Sequence, residues 1–328
     1  MLFTENLEQI VFNRHQVVDA DEIVILSWYL WPYPVEQLNN LPFRSTVIYG
    51  MYGSEGIKPQ LHKSLTHIQE TTPQTLNIFY SKIPVHSKCY IWKKDNKIIH
   101  ALIWSANFST NWLTTPFREV LAETTIDTFS PLRDYLWFVL NNSISCLEGV
   151  ANSTTASQQN RSDTITAPTA DSYCLTLLAK GWETWSTSWL NWWQNPDNHT
   201  NPNDAYIAIK VDAIRNAPNL FPPKQDNPLN TAEWRSAKRH NDSVDIIRDD
   251  WTTMRWLLEW NQEIEWVMFP KQISSFPNKN ELWLYLRNRL WVPSWQPVRK
   301  HHLEAYWRTD VKVSLIADWV YSFDFSNS

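Results

Sequence analysis

Five side chains that suit phosphate chemistry fall between residues 86 and 119 of this 328-residue chain: His86, Lys88, Ser105, Asn107 and Glu119. His86 and Lys88 are two residues apart at the start of a predicted strand, and Ser105 and Asn107 repeat that spacing at the end of the next. Alternate residues of a strand share one face. Antiparallel pairing of these strands would therefore bring an imidazole, an ammonium, a hydroxyl and a carboxamide together.

This set of groups suits the hydrolysis of a phosphodiester. Lys88 and Asn107 can hold nonbridging oxygens, and the imidazole of His86 can attack phosphorus. Glu119 can accept the other imidazole N–H and fix the tautomer of the ring. A His-x-Lys pair alone is usually part of a solvated strand edge, but the matching Ser-x-Asn pair and the later carboxylate favour an active site.

The elements that must position these residues are predicted to form an α/β domain over residues 1–150. Short apolar runs predict buried strands, and periodic apolar residues predict helices. The strands are expected at 22–30, 45–52, 76–80, 89–92, 98–104 and 119–126, and the helices at 58–69 and 131–147. The polar turn 93–97 is expected to join two of these strands into a hairpin.

The second half of the chain is predicted to be a separate, mostly β domain. Residues 151–171 are rich in Ser, Thr and Asn and are typical of an interdomain linker. In the domain at 172–328, strands are expected at 205–210, 243–247, 266–269 and 311–316, and a helix at 280–290. The last of these strands is expected to form a hairpin with the segment after Asp318 and Trp319.

Composition excludes several classes of protein. The length suits two globular domains, and the net charge of −5 argues against a general coating of polyanions. No apolar run reaches the length of a transmembrane helix, and residues 1–14 lack the pattern of a secretory signal. The scattered Cys89, Cys146 and Cys174 favour reduced thiols, so we expect a cytoplasmic protein without membrane association.

Three segments resemble the signature of the phospholipase D superfamily, which is His-x-Lys, then Gly-Ser-x-Asn, then an acidic residue. They are HSK (86–88), SANFS (105–109) and REVLAE (118–123). Over nearly the whole chain the sequence is similar to the NgoFVII-like restriction endonucleases, as in STVIYGMYGSEGIKP, NPNDAYIAI, DDWTTMR and HLEAYWRTDV. This resemblance implies an α/β phospholipase D-like N-terminal domain and a mostly β pseudobarrel, the B3-like DNA-recognition domain.

The resemblance also implies an activity, the site-specific hydrolysis of double-stranded DNA without a metal ion or other cofactor. His86 would attack the scissile phosphate, and water would release the resulting phosphohistidine. A complete site in this superfamily uses two His-x-Lys pairs, so a homodimer is implied, with the second His86 as general acid and base. A cognate methyltransferase is a further implied partner, and a separate ATPase subunit is implied by some relatives.

Two other functions stay open from the sequence. A phospholipid hydrolase would use the same chemistry, although the chain has a single His-x-Lys pair and no membrane-binding segment. The second open function is a DNA-binding protein whose nuclease site is inactive. Trp104 stands where the signature has glycine, and that change could inactivate the site. The aspartate that the superfamily has after His-x-Lys falls at Lys93, and we assign Asp95 to the hairpin turn.

DNA recognition in the second domain is expected from two loop arms that grip the major groove. By position, the residues of the first arm that can bond to or stack on base edges are Asn191, Trp192, Gln194 and Asn203. The second arm falls in the basic region 287–312, where Arg287, Arg289 and Arg308 can contact phosphates or guanines. For each of these residues, an ordinary surface charge or polar turn is the competing interpretation.

The counts of glycine and tryptophan are both unusual. Average usage would give about 23 glycines in this length, whereas the chain has 5 glycines and 21 tryptophans. We hypothesise that UGA codons read as glycine in the source are written here as tryptophan. A protein that is simply rich in tryptophan is the alternative. The resemblance implies glycine at Trp28, Trp31, Trp104, Trp112, Trp193, Trp251, Trp291, Trp295, Trp307 and Trp319.

Overall fold

The computed structural model describes residues 1–152, 171–179, 183–187, 189–195, 203–224, 241–294 and 296–327. They form two compact units, an α/β unit that begins at Met1 and a mostly β unit that ends the chain. Most of the predicted linker at 151–171 lies outside the described residues. Its boundaries, and those of the two domains, therefore stay a prediction.

The N-terminal unit is built on one eight-stranded mixed sheet with the order β1-β7-β6-β5-β2-β3-β4-β8. Its strands are β1 (Leu2–Phe3), β2 (Glu22–Ser27), β3 (Arg44–Tyr49), β4 (Leu76–Ser81), β5 (Cys89–Lys94), β6 (Lys97–Trp104), β7 (Leu121–Glu123) and β8 (Ser143–Ser145). Its helices are α1 (Leu7–Asn13), α2 (His15–Val18), α3 (Pro32–Gln37), α4 (Tyr52–Glu55), α5 (Pro59–Thr71), α6 (Thr110–Thr114) and α7 (Phe129–Asn141).

The connections of this sheet explain its mixed direction. β2, β3 and β4 run parallel, and helices α3 and α5 lie in the crossovers between them, as parallel pairing requires. β5 and β6 are instead joined by the tight turn Asp95-Asn96, whose residues both have positive φ. The predicted hairpin and the assignment of Asp95 to its turn are thus confirmed. Val24, Ile48 and Ile91 belong to the apolar core beneath these strands.

Four predicted elements of the N-terminal unit are wrong in extent. The strands expected at 22–30 and 45–52 end at Ser27 and Tyr49, and Tyr52 already belongs to α4. The helix expected at 131–147 ends at Asn141, because Ser143–Ser145 leave the helix and pair with β4 as an edge strand. The strand expected at 119–126 covers only Leu121–Glu123, because Ile126–Thr128 form a helical turn.

The C-terminal unit contains a seven-stranded sheet with the order β10-β15-β12-β11-β17-β16-β9, and a separate two-stranded ribbon. Its strands are β9 (Ser172–Thr176), β10 (Ile207–Ala208), β11 (Asp242–Arg248), β12 (Thr253–Glu259), β13 (Gln262–Ile264), β14 (Val267–Phe269), β15 (Gln272–Ser275), β16 (Asp310–Ala317) and β17 (Val320–Asp324). Its helices are α8 (Val211–Asn216), α9 (Asn280–Leu290) and α10 (Lys300–Ala305).

The core of this unit is apolar and aromatic. Trp256 and Phe323 pack edge to face with ring centroids 4.8 Å apart, and both side chains are buried. The predicted helix at 280–290 and the predicted β16–β17 hairpin are confirmed. Of the strand expected at 205–210 only Ile207–Ala208 form β10. Across the described ranges, no helix combines the length and the apolar character needed to cross a bilayer.

Candidate active site

The β5–β6 hairpin brings the two polar pairs to the same end of the sheet. His86 and Lys88 immediately precede β5, and Ser105 and Asn107 immediately follow β6. The antiparallel register sets Cys89 opposite Ile103, and the backbone N–H of Trp104 donates to the carbonyl of Lys88 at 3.3 Å. The juxtaposition expected from the spacing is therefore present in the structure.

His86 and Lys88 are in direct contact. Lys88 Nζ lies 3.1 Å from His86 Nδ1 and donates to the backbone carbonyl of His86 at 2.8 Å. The ring of His86 is exposed, whereas only 7% of Lys88 is accessible. Burial lowers the pKa of Lys88, and the nearby charge of Glu119 partly opposes that effect. A solvent-facing imidazole thus sits beside a cation held in a largely enclosed position.

Asn107 is oriented by residues at the end of β2. Its Oδ1 accepts from the backbone N–H of Tyr29 at 3.2 Å, and Ser27 Oγ lies 3.3 Å from the same oxygen. Ser27 also accepts from the backbone N–H of Phe108 at 2.9 Å. These contacts commit Oδ1 to the protein, so the carboxamide presents its N–H₂ donor to a ligand.

Ser27 contacts a residue of the candidate site, Asn107, and the sequence does not identify it. It ends the apolar run EIVILS, it is completely buried, and a buried hydroxyl usually has a defined partner. A polar residue at the end of a buried strand is the signal that the sequence offers. The hydroxyl donates locally to the carbonyl of Tyr29 at 2.6 Å, but Asn107 and Phe108 lie 80 and 81 residues away in the sequence, and no local pattern shows them.

Ser105 ties the segment that carries Glu119 to the hairpin. Its Oγ accepts from the backbone N–H of Val120 at 3.2 Å, and its own N–H donates to the carbonyl of Val120 at 3.3 Å. Glu119, the next residue along, is half-buried. The hydroxyl of Ser105 thus accepts a hydrogen bond from the backbone. The carboxylate of Glu119 is close enough to affect the pKa of Lys88.

The expected contact between Glu119 and His86 is not made in the described structure. No hydrogen bond joins these two side chains, and Lys88 Nζ occupies the position beside Nδ1. The role of Glu119 in orienting the ring stays a prediction.

All five predicted catalytic residues line one open cavity of about 470 Å³. Four aromatic residues complete its lining: Trp28, Tyr29, Trp104 and Trp112. The ring of Trp28 lies against that of His86, with centroids 5.0 Å apart. The described ranges hold no group of three or more His, Cys, Asp or Glu side chains arranged to bind a metal ion.

Two of the residues predicted to bind DNA have structural roles instead. Asn191 is fully buried, and its carboxamide bonds to backbone groups of Trp185 and Val298 on both its oxygen and its nitrogen. Arg287 is 2% exposed, its guanidinium lies 4.0 Å over the ring of Trp283, and burial lowers its pKa to about 10. The predicted base contact of Asn191 and the predicted phosphate or guanine contact of Arg287 are corrected accordingly.

Arg289 and Arg308 remain at the surface but have partners within the protein. Arg289 makes a two-pronged ion pair with Asp249, with Nη1 2.7 Å from Oδ2. Arg308 donates to the backbone carbonyl of Ser326 at 2.6 Å and lies 3.2 Å from Asp310. DNA would have to share or replace these contacts, so binding by either residue stays a prediction.

The remaining members of the first arm are accessible to a ligand. Trp192 is half-buried, and Lys279 Nζ lies 5.0 Å from the centre of its ring. Gln194 and Asn203 are also half-buried, and Asn203 has a left-handed backbone with φ 74°. Residues 196–202, between them, lie outside the described part of the chain. Contacts of Trp192, Gln194 and Asn203 with bases stay a prediction.

Comparison with known proteins agrees with the fold expected for both units. The family models for the NgoFVII restriction endonuclease N-terminal PLD domain and for the NgoFVII C-terminal B3-like DNA-binding domain match residues 5–152 and 166–317. Among solved structures, NucT from Helicobacter pylori matches with 16% identity and a TM-score of 0.33, over 44% of this chain and 97% of its own, and we draw no conclusion from it. No curated protein matches the chain.

Proposed function

From the premise that this chain belongs to the NgoFVII family of restriction endonucleases, we propose that it cleaves DNA without a metal ion, through a covalent intermediate on His86. A phospholipase D-type nuclease domain and a B3-like DNA-binding domain make it a DNA phosphodiester hydrolase, with double-stranded DNA as its partner.

The observation that carries the proposal is the convergence of a nucleophile with two anion-binding donors. His86, Lys88 and the carboxamide of Asn107 line the same open cavity at the end of the β5–β6 hairpin. Ammonium and amide donors stabilise the charge that develops on phosphate oxygens during attack. An exposed imidazole beside them is placed to supply the attacking nitrogen.

The first chemical step is attack by an imidazole nitrogen of His86 on phosphorus. A phosphorus–nitrogen bond forms and the bond from phosphorus to the leaving sugar oxygen breaks, while that oxygen takes up a proton. In the second step water attacks phosphorus, loses its proton to a base and displaces the imidazole. The sum is the hydrolysis of one phosphodiester bond, with His86 regenerated.

The position of Lys88 requires one rearrangement before attack. If the ammonium donates to Nδ1, a neutral ring carries its proton on Nε2, and that nitrogen has no free electron pair. Phosphate oxygens can draw Lys88 away from the ring, so that the proton resides on Nδ1 and Glu119 accepts it in a hydrogen bond. Nε2 is then free to attack.

The acid and base of the two steps come from a second copy of the chain in this proposal. The sequence has a single His-x-Lys pair, and the nucleophile is occupied when the leaving oxygen needs its proton. The second His86 of a homodimer would protonate that oxygen and later accept the proton from water. We therefore propose that the enzyme is a dimer.

The proposed partners follow from the consequence of cutting specific sites. An endonuclease that recognises short sequences would also cut the DNA of its own cell, so we propose a cognate methyltransferase that protects those sites. A separate ATPase subunit is a further proposed partner. If it is one, adding that subunit together with ATP should raise the measured rate of DNA cleavage.

Incubation of the purified protein with plasmid DNA in excess EDTA tests the proposal. Discrete fragments are expected from the wild-type chain, no cleavage from His86→Ala, and normal cleavage from His67→Ala, which changes a histidine outside the cavity. His86→Ala should still retard DNA in a gel, because the B3-like domain is untouched. Cleavage only with added Mg²⁺, or persistent cutting by His86→Ala, would contradict the mechanism. DNA binding without cutting by the wild type would indicate an inactive nuclease site.

A further inference from the structure

Tryptophan dominates the positions of this chain that have a left-handed backbone. Among the described residues other than glycine, fifteen have positive φ, and eight of these are tryptophan. Five of the other seven are Asn or Asp, whose short polar side chains tolerate this region. The eight are Trp104, Trp189, Trp251, Trp260, Trp266, Trp291, Trp307 and Trp319.

Two of these positions are the glycine positions of helix C-termini. Trp307 follows α10 with φ 63°, its N–H donates to the carbonyl of Glu304, and the N–H of Arg308 donates to that of Leu303. This pair of bonds is the Schellman motif, which usually has glycine at the left-handed residue. Trp291 follows α9 with φ 54°, and the N–H of Val292 returns to the carbonyl of Arg287 in the same way.

Two more lie in hairpin loops that favour glycine. Glu265 and Trp266 form the two-residue loop between β13 and β14, with φ 50° and 68°. Positive φ at both central residues defines a type I′ turn, whose second residue is typically glycine. Trp319 has φ 63° after Asp318 at the β16–β17 turn, where Asp-Gly is the common pair.

Packing does not compensate for the strain at three of these positions. Trp266, Trp291 and Trp307 are 93%, 88% and 84% exposed, so their indoles lie in water. A bulky residue in the left-handed region is ordinarily held there by surrounding structure. By contrast, Trp92 and Trp256 are fully buried, have no positive φ and occupy ordinary core positions.

We propose that glycine is the functional residue at these eight positions, because the codon written there as tryptophan is read as glycine. The backbone supports the sequence-based hypothesis at Trp104, Trp251, Trp291, Trp307 and Trp319, and adds Trp189, Trp260 and Trp266. It gives no such support at Trp28, Trp31, Trp112 or Trp193, which do not have positive φ. Trp295 lies outside the described residues.

One of the eight positions bears on the catalytic cavity, and this consequence rests on the proposed function. Trp104 has φ 150°, is 62% exposed and directly precedes Ser105 in the cavity lining. Glycine there removes the indole from the cavity mouth and lets a phosphate backbone approach the hairpin. The glycine chain should therefore cut DNA faster than the tryptophan chain.

Peptide mass spectrometry of the protein isolated from its native cells is the direct test. Glycine is expected in the peptides that contain positions 266, 291 and 307, and tryptophan in those that contain Trp92 and Trp256. Tryptophan at 266, 291 and 307 would overturn the proposal. This measurement requires neither the folding of a variant nor catalytic activity, so it is independent of the proposed function.

Substitution of the recombinant tryptophan chain tests the physical basis. Trp266→Gly, Trp291→Gly and Trp307→Gly should each raise the folding equilibrium constant about tenfold, as relief of left-handed strain allows. The control Trp256→Gly should lower it more than about a hundredfold, because it empties a core site. If the tryptophan chain does not fold, the glycine chain is used and the three reverse substitutions should lower the constant. If the three exposed positions tolerate tryptophan as well as glycine, or better, in either chain, the proposal is contradicted.

Discussion

At the scale of single residues, the site consists of groups that sequence spacing predicts and others that it does not. The i, i+2 spacing predicts that His86 and Lys88 lie on one side of the chain, and just before β5 their side chains make a direct contact at 3.1 Å. Ser27 reaches Asn107 from a strand 80 residues away. Only the folded sheet brings that hydroxyl to the site, so periodicity could not identify it.

Ser27→Ala should weaken both stability and catalysis. The substitution leaves the buried N–H of Phe108 without its acceptor and removes a contact that holds Asn107. We expect a loss of about 1–3 kcal/mol in the free energy of unfolding, measured in urea, and a fall of about 10–100-fold in cleavage rate. Ser54→Ala is the matched control, since its exposed hydroxyl in α4 donates to the carbonyl of Met51, and its effect should stay below about 0.5 kcal/mol. Equal effects of the two variants would contradict this account of Ser27.

Lys88 should set the alkaline limit of cleavage. Burial lowers its pKa, so the cation that we propose to hold phosphate is lost at a lower pH than for an ordinary lysine. Lys88→Arg keeps a positive charge at high pH. This variant should be slower at neutral pH, and its pH–rate profile should extend further into the alkaline range.

The measurement is the single-turnover rate of cleavage between pH 7 and pH 11, with binding of DNA followed in parallel. If the alkaline limbs of the wild type and Lys88→Arg coincide, Lys88 is not the group whose deprotonation limits the reaction.

At the scale of elements, local patterns predict the β5–β6 hairpin and helix α9. The polar turn lies within the hairpin segment itself, and the apolar periodicity lies within the helix. The predicted end of α7 is wrong because Ile144 continues the helical spacing of apolar residues after Leu140, whereas its strand, β8, pairs with the distant β4. The role of Asn191 was missed for the same reason. Its partner Val298 lies 107 residues away, and the sequence assigns Asn191 to the first DNA-binding arm by position alone.

Asn191→Ala should therefore act on folding and not directly on base recognition. The variant leaves the N–H and carbonyl of Val298 without their buried partners, at an expected cost of about 2–4 kcal/mol in the free energy of unfolding. Gln194→Ala, three residues on and half-buried, should be close to neutral in stability and should weaken specific DNA binding.

Urea denaturation and a binding titration against specific and nonspecific DNA distinguish these two roles. If Asn191→Ala retains full stability but loses specificity, the residue reads DNA and the structural assignment is wrong.

At the scale of the whole molecule, the question is whether one chain or two make the nuclease. The single His-x-Lys pair favours two. Coexpression of equal amounts of wild-type and His86→Ala chains should give a mixture in which about one quarter of the dimers carry two intact histidines. Specific activity should fall to about that fraction, whereas independent monomers would retain about half.

The most direct test of the central claim is to trap the covalent intermediate. DNA with a radioactive phosphate at the cleavage site is mixed with the enzyme in EDTA and quenched within one turnover under denaturing alkaline conditions, which preserve phosphohistidine. The account predicts label on the peptide that contains His86, and none in His86→Ala. Efficient cleavage by the wild type with no labelled protein at any time in the turnover would contradict it.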